Sequence, residues 1–294
     1  MNLADLETLL AVARERSFSR AAEKMRRTQP AISLAIQRLE RACGEALLDR
    51  STKPARLTEA GALAARRAEQ MLRQRAELEH ELAELRGRQR GKVTVGANES
   101  TAFFLLPVVE RFLLRHAAIK VEVRRSLSRN IPAEIAAGDL DLGVVAYDPA
   151  SAALRAEVVY RDRLALIVYP RHPLAGAGAI PLRRLADERF IAHNVVSPYR
   201  DITVGTFRRR GVPLNIAVEM PTIESIKQLV ARGRGIAFVP RISAARELAA
   251  GALVEVTVRQ FRVERPLRLL APRARPLSHA AQAFWELALA TSRH

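Results

Sequence analysis

The sequence is poor in the residues on which several classes of protein depend. It contains a single cysteine, Cys43, so the chain cannot form an internal disulfide, and no cluster of cysteine and histidine has zinc-site spacing. No apolar run approaches the roughly 20 residues of a membrane-spanning helix. The N-terminal residues lack the basic segment and apolar core of a signal peptide. We therefore expect a cytoplasmic protein without disulfides, metal sites or membrane contact.

Acidic side chains are also scarce relative to basic ones. The 294 residues include 48 lysine and arginine against 31 aspartate and glutamate, a formal net charge of +17. Such an excess favours polyanionic partners or anionic ligands. Residues 1–90 contribute +5 and the remainder +12, so most of the positive charge lies outside the N-terminal region. The length indicates two or three domains, and a hydrophobic fraction of 49% is sufficient for packed cores.

Residues 1–57 have the pattern of three short helices followed by a hairpin. Ser19 and Thr28 are predicted to cap the second and third helices, and Gly44 to end the third. The buried face of the third helix is predicted from four apolar residues at helical spacing: Ile32, Ala35, Ile36 and Leu39. This layout predicts a helix-turn-helix, in which the third helix fits the major groove of DNA.

The outward face of the third helix and its surroundings carry side chains suited to a DNA interface. Glutamine and serine donate and accept hydrogen bonds at base edges, Leu34 suits a thymine methyl, and basic residues of the hairpin suit phosphates. The candidate DNA-binding residues are Ser19, Arg20, Thr28, Gln29, Pro30, Ser33, Leu34, Gln37, Arg38, Arg50, Lys53 and Arg56. Spacing alone equally allows a solvated polar face on an ordinary three-helix core.

A long helix without proline is predicted from Thr58 to Arg86. Two sets of residues repeat in it every seven positions, with Arg75 as a flaw in the second: Ala64, Met71, Leu78 and Leu85, then Ala68, Arg75 and Leu82. These heptads predict pairing of the helix between subunits. The alternative is one amphipathic helix packed on its own domain. Residues 87–91 are predicted to form a basic, glycine-bounded hinge.

Beyond the hinge, the pattern changes to alternating strands and helices. Strands are predicted at 93–95, 119–123, 140–146, 164–169, 215–219, 235–239 and 267–271, and helices at 101–116, 201–210, 222–232 and 278–289. This order predicts an α/β architecture with a parallel sheet. The second group of strands, which follows Leu164, indicates two similar lobes.

Several ordered segments resemble the LysR-type transcriptional regulators. In the N-terminal region they are SFSRAAEKM at 17–25, TQPAIS at 28–33, IQRLE at 36–40, LLDR at 47–50 and LTEAG at 57–61. Shorter similar stretches continue along the chain: LLP at 105–107, GDLDLG at 138–143, HPLA at 172–175 and GRGIA at 233–237. Leu34 stands where many members carry arginine, and Leu48 and Asp49 replace the usual Leu-Phe pair.

The resemblance implies an α/β multidomain protein with an N-terminal winged helix-turn-helix, a long linker helix and a C-terminal two-lobed effector domain like the periplasmic binding proteins. It implies a DNA-binding domain at 1–58, a dimerisation helix and hinge at 59–90, and an effector domain at 91–294. Lobe I would comprise 91–162 and 266–294, and lobe II 163–265. It further implies a homotetramer, a dimer of dimers, that bends double-stranded promoter DNA and needs no cofactor.

A small anionic effector is expected in the cleft between the lobes, where helix N-termini offer free N–H groups. Asn98 and Ser100 match positions that commonly contact effectors in the family, and Arg200 is expected to pair with an anion. Plain helix capping is the alternative role of the hydroxyl and amide side chains. Glu99 would repel an anion unless it is protonated or paired with arginine. The candidate effector-binding residues are Asn98, Ser100, Thr101, Ser128, Ser197, Arg200 and Thr222.

Two other functions are compatible with parts of the sequence. A solute-binding protein would have the same two-lobed fold, but the N-terminal helix-turn-helix and the missing signal peptide disfavour it. An enzyme fused to a DNA-binding domain would need catalytic residues, and the six histidines are scattered without a metal motif. Cys43 is expected to be a small buried or half-buried residue rather than a redox thiol. We therefore predict a non-enzymatic regulator of transcription.

Overall fold

The computed structural model describes residues 2–49, 54–85, 91–195 and 197–291. The chain divides into two compact units, Met1–Arg88 and Gln89–His294. Each unit has its own hydrophobic core of buried aliphatic and aromatic side chains. Within the described ranges, no helix combines the length and apolar composition needed to span a lipid bilayer.

The first unit consists of four helices and a short two-stranded sheet. Its elements are α1 (Leu3–Glu15), α2 (Phe18–Met25), α3 (Gln29–Cys43), β1 (Leu48–Asp49), β2 (Arg56–Leu57) and α4 (Glu59–Leu85). The predicted face of α3 is buried, and Ile32, Ile36 and Leu39 share one core with Leu9 of α1 and Ala21 of α2. The helix-turn-helix prediction is therefore confirmed.

The ends of α2 and α3 test the predicted capping residues. Ser17 caps α2 by accepting a hydrogen bond from the Arg20 N–H, so the prediction of Ser19 as the cap is wrong. The helix begins earlier because Phe18 packs against the core. Thr28 caps α3, and Gly44 ends it with a φ of 73°, both as predicted. Cys43 is exposed, not buried, because the last turn of α3 extends beyond the core residues of that face.

Thr58 joins the β1–β2 hairpin to α4. Its N–H donates to the Leu47 carbonyl oxygen at 3.1 Å, and its hydroxyl donates to the Ala46 carbonyl oxygen at 2.6 Å. The same hydroxyl oxygen accepts from the Gly61 N–H at 2.9 Å, which makes Thr58 the cap of α4. A Cβ at Gly61 would lie 1.9 Å from the Leu47 carbonyl oxygen, so this close approach requires glycine.

The apolar residues of the long helix α4 have two kinds of surroundings. Some pack within the first unit, and others remain exposed, as pairing between subunits would require. Ala68 is buried and Leu72 packs against the core of the first unit. Arg75 Nη2 lies 2.9 Å from Glu7 Oε1 of α1, which explains how a charged residue fits the heptad pattern. Further apolar side chains stay exposed: Met71, Leu78 and Leu82. The side chain of Leu85 and residues 87–90 of the predicted hinge at 87–91 lie outside the described residues, and Gly91 is the first residue of β3.

The second unit contains strands and helices in alternation. Its elements are β3 (Gly91–Ala97), α5 (Glu99–Arg115), β4 (Ile119–Arg125), α6 (Ile131–Ala137), β5 (Leu142–Val145), β6 (Leu154–Val168), β7 (Ala179–Ile180), β8 (Arg189–His193), α7 (Pro198–Arg209), β9 (Asn215–Met220), α8 (Ile223–Ala231), β10 (Ala237–Pro240), α9 (Ala245–Ala249), β11 (Val254–Val258), β12 (Glu264–Pro272) and α10 (His279–Thr291). Short 3₁₀ turns lie at Leu182–Leu185 and Arg241–Ala244.

Two long strands, β6 and β12, connect the two lobes of this unit. In lobe I, the sheet order is β4-β3-β5-β12-β6, and β3 is parallel to both β4 and β5. In lobe II, the last part of β6 pairs with β10 and β11, β11 pairs with β7, and β8 and β9 form a separate parallel pair. The predicted parallel pairing is confirmed for β3, β4 and β5, but the sheet as a whole is mixed, because β12 runs antiparallel to β5 and β6. The chain crosses through β6 and returns through β12, so the two strands must run in opposite directions.

Each lobe has its own core. In lobe I, α5 and α10 cover one face of the sheet with Phe112 and Phe284, and α6 covers the other with Ile131 and Ile135. In lobe II, stacked and edge-on rings pack together, among them Phe190, Phe207, Phe238 and Phe261. The sequence pattern missed β8, β11 and the short α6.

We expect Gly61→Ala to destabilise the first unit by about 2 kcal/mol or more, because the new Cβ would overlap a backbone oxygen that cannot rotate away. Thermal unfolding followed by circular dichroism measures the loss. Gly176→Ala is the matched control, since a Cβ there meets nothing within 4 Å. Equal unfolding temperatures for the two variants would contradict the prediction.

Candidate functional site

The face of α3 opposite the core carries polar side chains at the surface of the first unit. Gln29, Pro30 and Leu34 are exposed, and Ser33 and Gln37 are partly exposed. Together they offer amide and hydroxyl groups that donate and accept hydrogen bonds, and one aliphatic surface. These are the groups that read base edges in a major groove.

The flanks of α3 supply further candidate contacts. Ser19 and Arg20 are exposed at the start of α2, and Arg20 Nη2 donates to the Glu15 carbonyl oxygen at 2.5 Å. Thr28 is exposed, although its hydroxyl is used to cap α3. Arg56 is exposed on β2, whereas Arg50 and Lys53 lie outside the described residues.

Arg38 has a structural partner within the first unit. Its Nη2 lies 2.6 Å from Oδ1 of Asp5, and its Nε lies 3.4 Å from Oδ2 of the same residue. Asp5 is buried, and the hydrogen bond to it raises the pKa of the Arg38 guanidinium. The pair fixes α3 against α1, so Arg38 can contact DNA only with the donors that Asp5 leaves unused.

On the lobe I side of the cleft, the candidate residues form one network around Asn98. The Asn98 side-chain oxygen accepts from the Thr101 N–H and from the Ser100 hydroxyl, both at 2.9 Å. Its Nδ2 donates to the Ser128 hydroxyl oxygen at 2.6 Å. The structure thus brings Asn98, Ser100, Thr101 and Ser128 together at the start of α5, where the alternative role of helix capping is also present.

On the lobe II side, Ser197 and Thr222 cap α7 and α8. Ser197 accepts from the Arg200 N–H at 3.2 Å, and Thr222 accepts from the Ser225 N–H at 3.1 Å. The Arg200 guanidinium donates to the His193 carbonyl oxygen and to a carboxylate oxygen of Glu219, both over short distances. A bidentate hold on an anion by Arg200 would require breaking these contacts.

Glu99 connects the two lobes. It is the first residue of α5, in lobe I, and its Oε1 accepts from the backbone N–H of Ile223 at the start of α8, at 2.7 Å. Its Oε2 lies 3.1 Å from Nε2 of His193, at the end of β8. From the sequence, Glu99 is expected to repel an anion unless it is protonated or paired with arginine. In the structure, its carboxylate is instead paired with a histidine and with the N-terminus of a helix.

Arg265 is a buried residue of the cleft that the sequence analysis missed. Its Nη1 lies 2.5 Å from Oδ2 of Asp162, the residue opposite it in the β6–β12 ladder, and its Nη2 donates to the Ser100 hydroxyl oxygen at 2.8 Å. The guanidinium lies 4.7 Å from the centre of the Tyr199 ring. Among the described residues, none accepts a hydrogen bond from its Nε.

Burial controls the ionisable groups around Arg265. Burial raises the pKa of the Asp162 carboxyl, and the charge of Arg265 opposes the shift. Burial likewise raises the pKa of the Tyr199 hydroxyl, which donates to the Ala146 carbonyl oxygen of lobe I over a short distance. No local pattern marks Arg265, because its partners Asp162 and Ser100 are 103 and 165 positions away in the sequence.

Family comparisons identify both units. Residues 3–62 match the family described as bacterial regulatory helix-turn-helix protein, lysR family. Residues 86–293 match the LysR substrate binding domain. The chain therefore belongs to the LysR family, and it is a DNA-binding transcriptional regulator.

Curated relatives are similar over nearly the whole chain. A probable RuBisCO transcriptional regulator of Cyanophora paradoxa is 34% identical over 97% of this chain and 90% of its own length. The RuBisCO operon transcriptional regulator of Allochromatium vinosum is 31% identical over 98% of this chain and 96% of its own length. The resemblance noted in the sequence is thereby confirmed.

Solved structures share the fold. CbnR, a LysR family transcriptional regulator, superimposes with a TM-score of 0.75 over the whole of both chains at 20% identity. The Synechocystis PCC6803 CcmR regulatory domain in complex with 2-PG superimposes with a TM-score of 0.62 over 70% of this chain and 99% of that one, at 24% identity. The fold that these structures share with the chain, a helix-turn-helix unit followed by a two-lobed domain, is therefore the one predicted from the sequence.

We expect Arg265→Ala to destabilise the second unit by roughly 3 to 5 kcal/mol, because it leaves the carboxylate of Asp162 buried without its cation. Denaturant unfolding followed by fluorescence of Trp285, the one tryptophan, reports on this unit. Because the folded-state pKa of Asp162 lies above the unfolded value, the cost is present at neutral pH and fades as the pH falls through the folded-state pKa.

Arg268→Ala is the control for this prediction. Arg268 is also on β12, but its partner Asp148 is largely exposed, so the loss should stay within about 1 kcal/mol. Equal losses for Arg265→Ala and Arg268→Ala, or a loss that does not change with pH, would show that the buried pair has no special role.

Proposed function

We propose that the outward face of α3 reads the major groove of promoter DNA. The observation that carries this proposal is the exposure of Gln29, Ser33 and Gln37 opposite the buried stripe of the same helix. Pro30 and Leu34 would contact thymine methyls. The remaining candidates would hold the phosphates and fix the register: Ser19, Arg20, Thr28, Arg38, Arg50, Lys53 and Arg56.

We propose that successive segments of the chain have separate functions. Residues 1–58 bind DNA, 59–90 form the linker helix and hinge, and 91–294 bind the effector. Lobe I takes 91–162 and 266–294, and lobe II takes 163–265. The crossing of β6 and β12 between the two cores supports these limits.

We propose a dimer of dimers as the active assembly. Three apolar side chains remain exposed at heptad positions of α4 where pairing is predicted: Met71, Leu78 and Leu82. A second exposed apolar face lies on α5, with Leu106, Leu113 and Leu114. Two separate apolar faces on one chain support two kinds of subunit contact, as a tetramer with twofold symmetry requires.

We propose that a small anionic effector binds between the lobes and switches the DNA contacts. Three helices, α5, α7 and α8, begin at the cleft, and their N-termini favour negative charge. The candidates Asn98, Ser100, Thr101, Ser128, Ser197, Arg200 and Thr222 lie at these helix starts or in contact with them. The CcmR regulatory domain, which has this fold, is seen with 2-PG, and 2-PG is therefore the first compound to test.

Regulation is the function proposed, rather than solute transport or catalysis. A transport protein with the same two lobes has no use for the helix-turn-helix of the first unit. By the names of the curated relatives, a RuBisCO operon is the first target to test. Effector binding would shift the protein between two arrangements of its lobes, and thereby the spacing of the DNA-binding units.

Gln29→Ala and Ser33→Ala should lose sequence discrimination while keeping non-specific binding, because base contacts carry the sequence information. The loss should be about 1 to 3 kcal/mol on the specific duplex. Arg56→Ala is the comparison, since loss of a phosphate contact weakens binding to specific and random duplexes alike. Fluorescence anisotropy with both duplexes at several salt concentrations measures the difference. Equal losses on the two duplexes for Gln29→Ala would contradict the assignment of α3.

Ser100→Ala should weaken binding of 2-PG, because the Ser100 hydroxyl lies at the start of α5 and contacts both Asn98 and Arg265. Arg200→Ala should weaken it too if the Arg200 guanidinium leaves Glu219 for the anion. Calorimetric titration measures both, with Ser151→Ala, which lies in a loop of lobe I away from these contacts, as the control. Unchanged affinity in either variant would remove that residue from the site.

A further inference from the structure

The contact between Glu99 and lobe II has the features of an anion bound in the cleft. The carboxylate accepts from a backbone N–H at the start of a nine-residue helix and from a histidine ring. A carboxylate at a helix N-terminus is favoured by the helix dipole and by the free N–H groups there. Here the carboxylate belongs to the chain itself and comes from the opposite lobe.

The hydrogen bonding of His193 shows that this contact needs no protonated histidine. Nδ1 of His193 accepts from the Val195 N–H at 3.1 Å, so the ring proton of the neutral form is on Nε2. Nε2 then donates to Glu99 Oε2. The Arg200 guanidinium donates to the backbone carbonyl of His193 and so holds this residue in place from within lobe II.

Other contacts between the lobes start from the same end of α5. Ser100 accepts from Arg265, and the Phe103 ring lies 5.8 Å from Nζ of the buried Lys227 in α8. The side chains of Glu99 and His193 are about one quarter exposed, at 26% and 27%. Unlike the buried Arg265–Asp162 pair, the Glu99 contact is therefore open to exchange with a ligand from solvent.

We propose that Glu99 is an internal latch that occupies an anion position of the cleft when no effector is bound. Its carboxylate joins α5 of lobe I to α8 and β8 of lobe II, and an anionic effector has to displace it from the Ile223 N–H and His193. The inference rests on the proposed effector cleft. A ligand bound only to the unlatched form has an apparent affinity reduced by the fraction of molecules in that form.

The latch also defines the chemistry of its competitor. Both groups that hold Glu99 are donors, the Ile223 N–H and the His193 Nε2–H, so the displacing group must present two acceptor oxygens, as a carboxylate or phosphate does. A neutral ligand can also offer acceptor oxygens, but it lacks the negative charge that the start of α8 favours and that Glu99 supplies in its absence. The latch thus selects against neutral compounds that fit the cleft by shape alone.

The test uses the full-length protein with Glu99→Ala, and Asp187→Ala as the matched control. Both variants remove one carboxylate, but Asp187 is exposed in a turn of lobe II and does not belong to any of the three helix starts at the cleft. Amide hydrogen exchange of the segment that contains Ile223 reports on the latch in the absence of ligand. Calorimetric titration with inorganic phosphate and, separately, with acetate reports on the anion position.

We expect Glu99→Ala to speed exchange at the start of α8 and to bind phosphate or acetate about tenfold or more tightly than the wild type, since a charge-assisted contact no longer competes. Asp187→Ala should change neither measurement by more than about twofold. Unchanged exchange in Glu99→Ala overturns the latch. Equal tightening in the two variants also overturns it, because the effect would then be general charge removal. If none of the three proteins binds an anion, the proposal of an anion-binding effector cleft is wrong. The exchange measurement then still shows whether Glu99 holds the start of α8.

Discussion

The antiparallel pairing of β6 with β12 determines how the second unit is arranged. The ladder runs from Leu154 opposite Pro272 to Arg163 opposite Glu264, and it ends where the chain passes from one lobe to the other. At that end the buried ion pair of Arg265 and Asp162 lies across the two strands. The Arg265 guanidinium is fixed in direction by two of its nitrogens, Nη1 with Asp162 and Nη2 with Ser100. Its contacts with Ser100 and Tyr199 then position the starts of α5 and α7 on opposite sides of the cleft.

The cleft is electrostatically satisfied by the chain itself. Each of the three helix starts has its own capping side chain, Asn98, Ser197 or Thr222, and α8 also receives the carboxylate of Glu99. A ligand therefore exchanges contacts instead of adding them, and its net affinity is a difference between two sets of hydrogen bonds. Under the proposed function, such an arrangement would give the regulator two competing states, one in which the chain's own groups satisfy the helix starts and one in which the ligand does.

The features that the sequence predicted correctly are those determined by local spacing. The buried stripe of α3, its cap at Thr28 and its end at Gly44 depend on residues within one or two turns. The choice between Ser17 and Ser19 failed because both are good caps, and the packing of Phe18 against a distant core decided between them. The direction of β12 could not be predicted either, since strand patterns carry no information about which neighbours a strand will have.

The residues of the cleft show even more clearly that local sequence patterns do not predict contacts between distant segments. Sequence context favoured Arg200, which follows a helix cap, over Arg265, which has no local signal. The fold pairs Arg200 with Glu219 and buries Arg265 beside Asp162. Glu99 was recognised as a charge that needed a partner, but the backbone N–H that donates to its carboxylate lies 124 positions along the chain. Asn98 and Ser100 could be placed at a helix start from the local pattern, and the structure has both at the start of α5. The resemblance to a known family was needed to favour an effector-binding role over plain capping.

The charge distribution links DNA binding to assembly. Residues 1–90 carry only +5 of the net +17, and one arginine of α3, Arg38, is already paired with Asp5. Leu34, which stands where the family resemblance places arginine in many members, has no hydrogen-bond donor to offer to a base edge or a phosphate. On the proposed interface, a single DNA-binding unit would have modest attraction for phosphates and would read bases mainly through amide and hydroxyl groups. Tight binding would then depend on several units engaging one DNA molecule, where the effective concentration of the second unit multiplies the weak affinity of the first. A change in the spacing of those units would consequently alter occupancy of the promoter more strongly than a change at any one base contact.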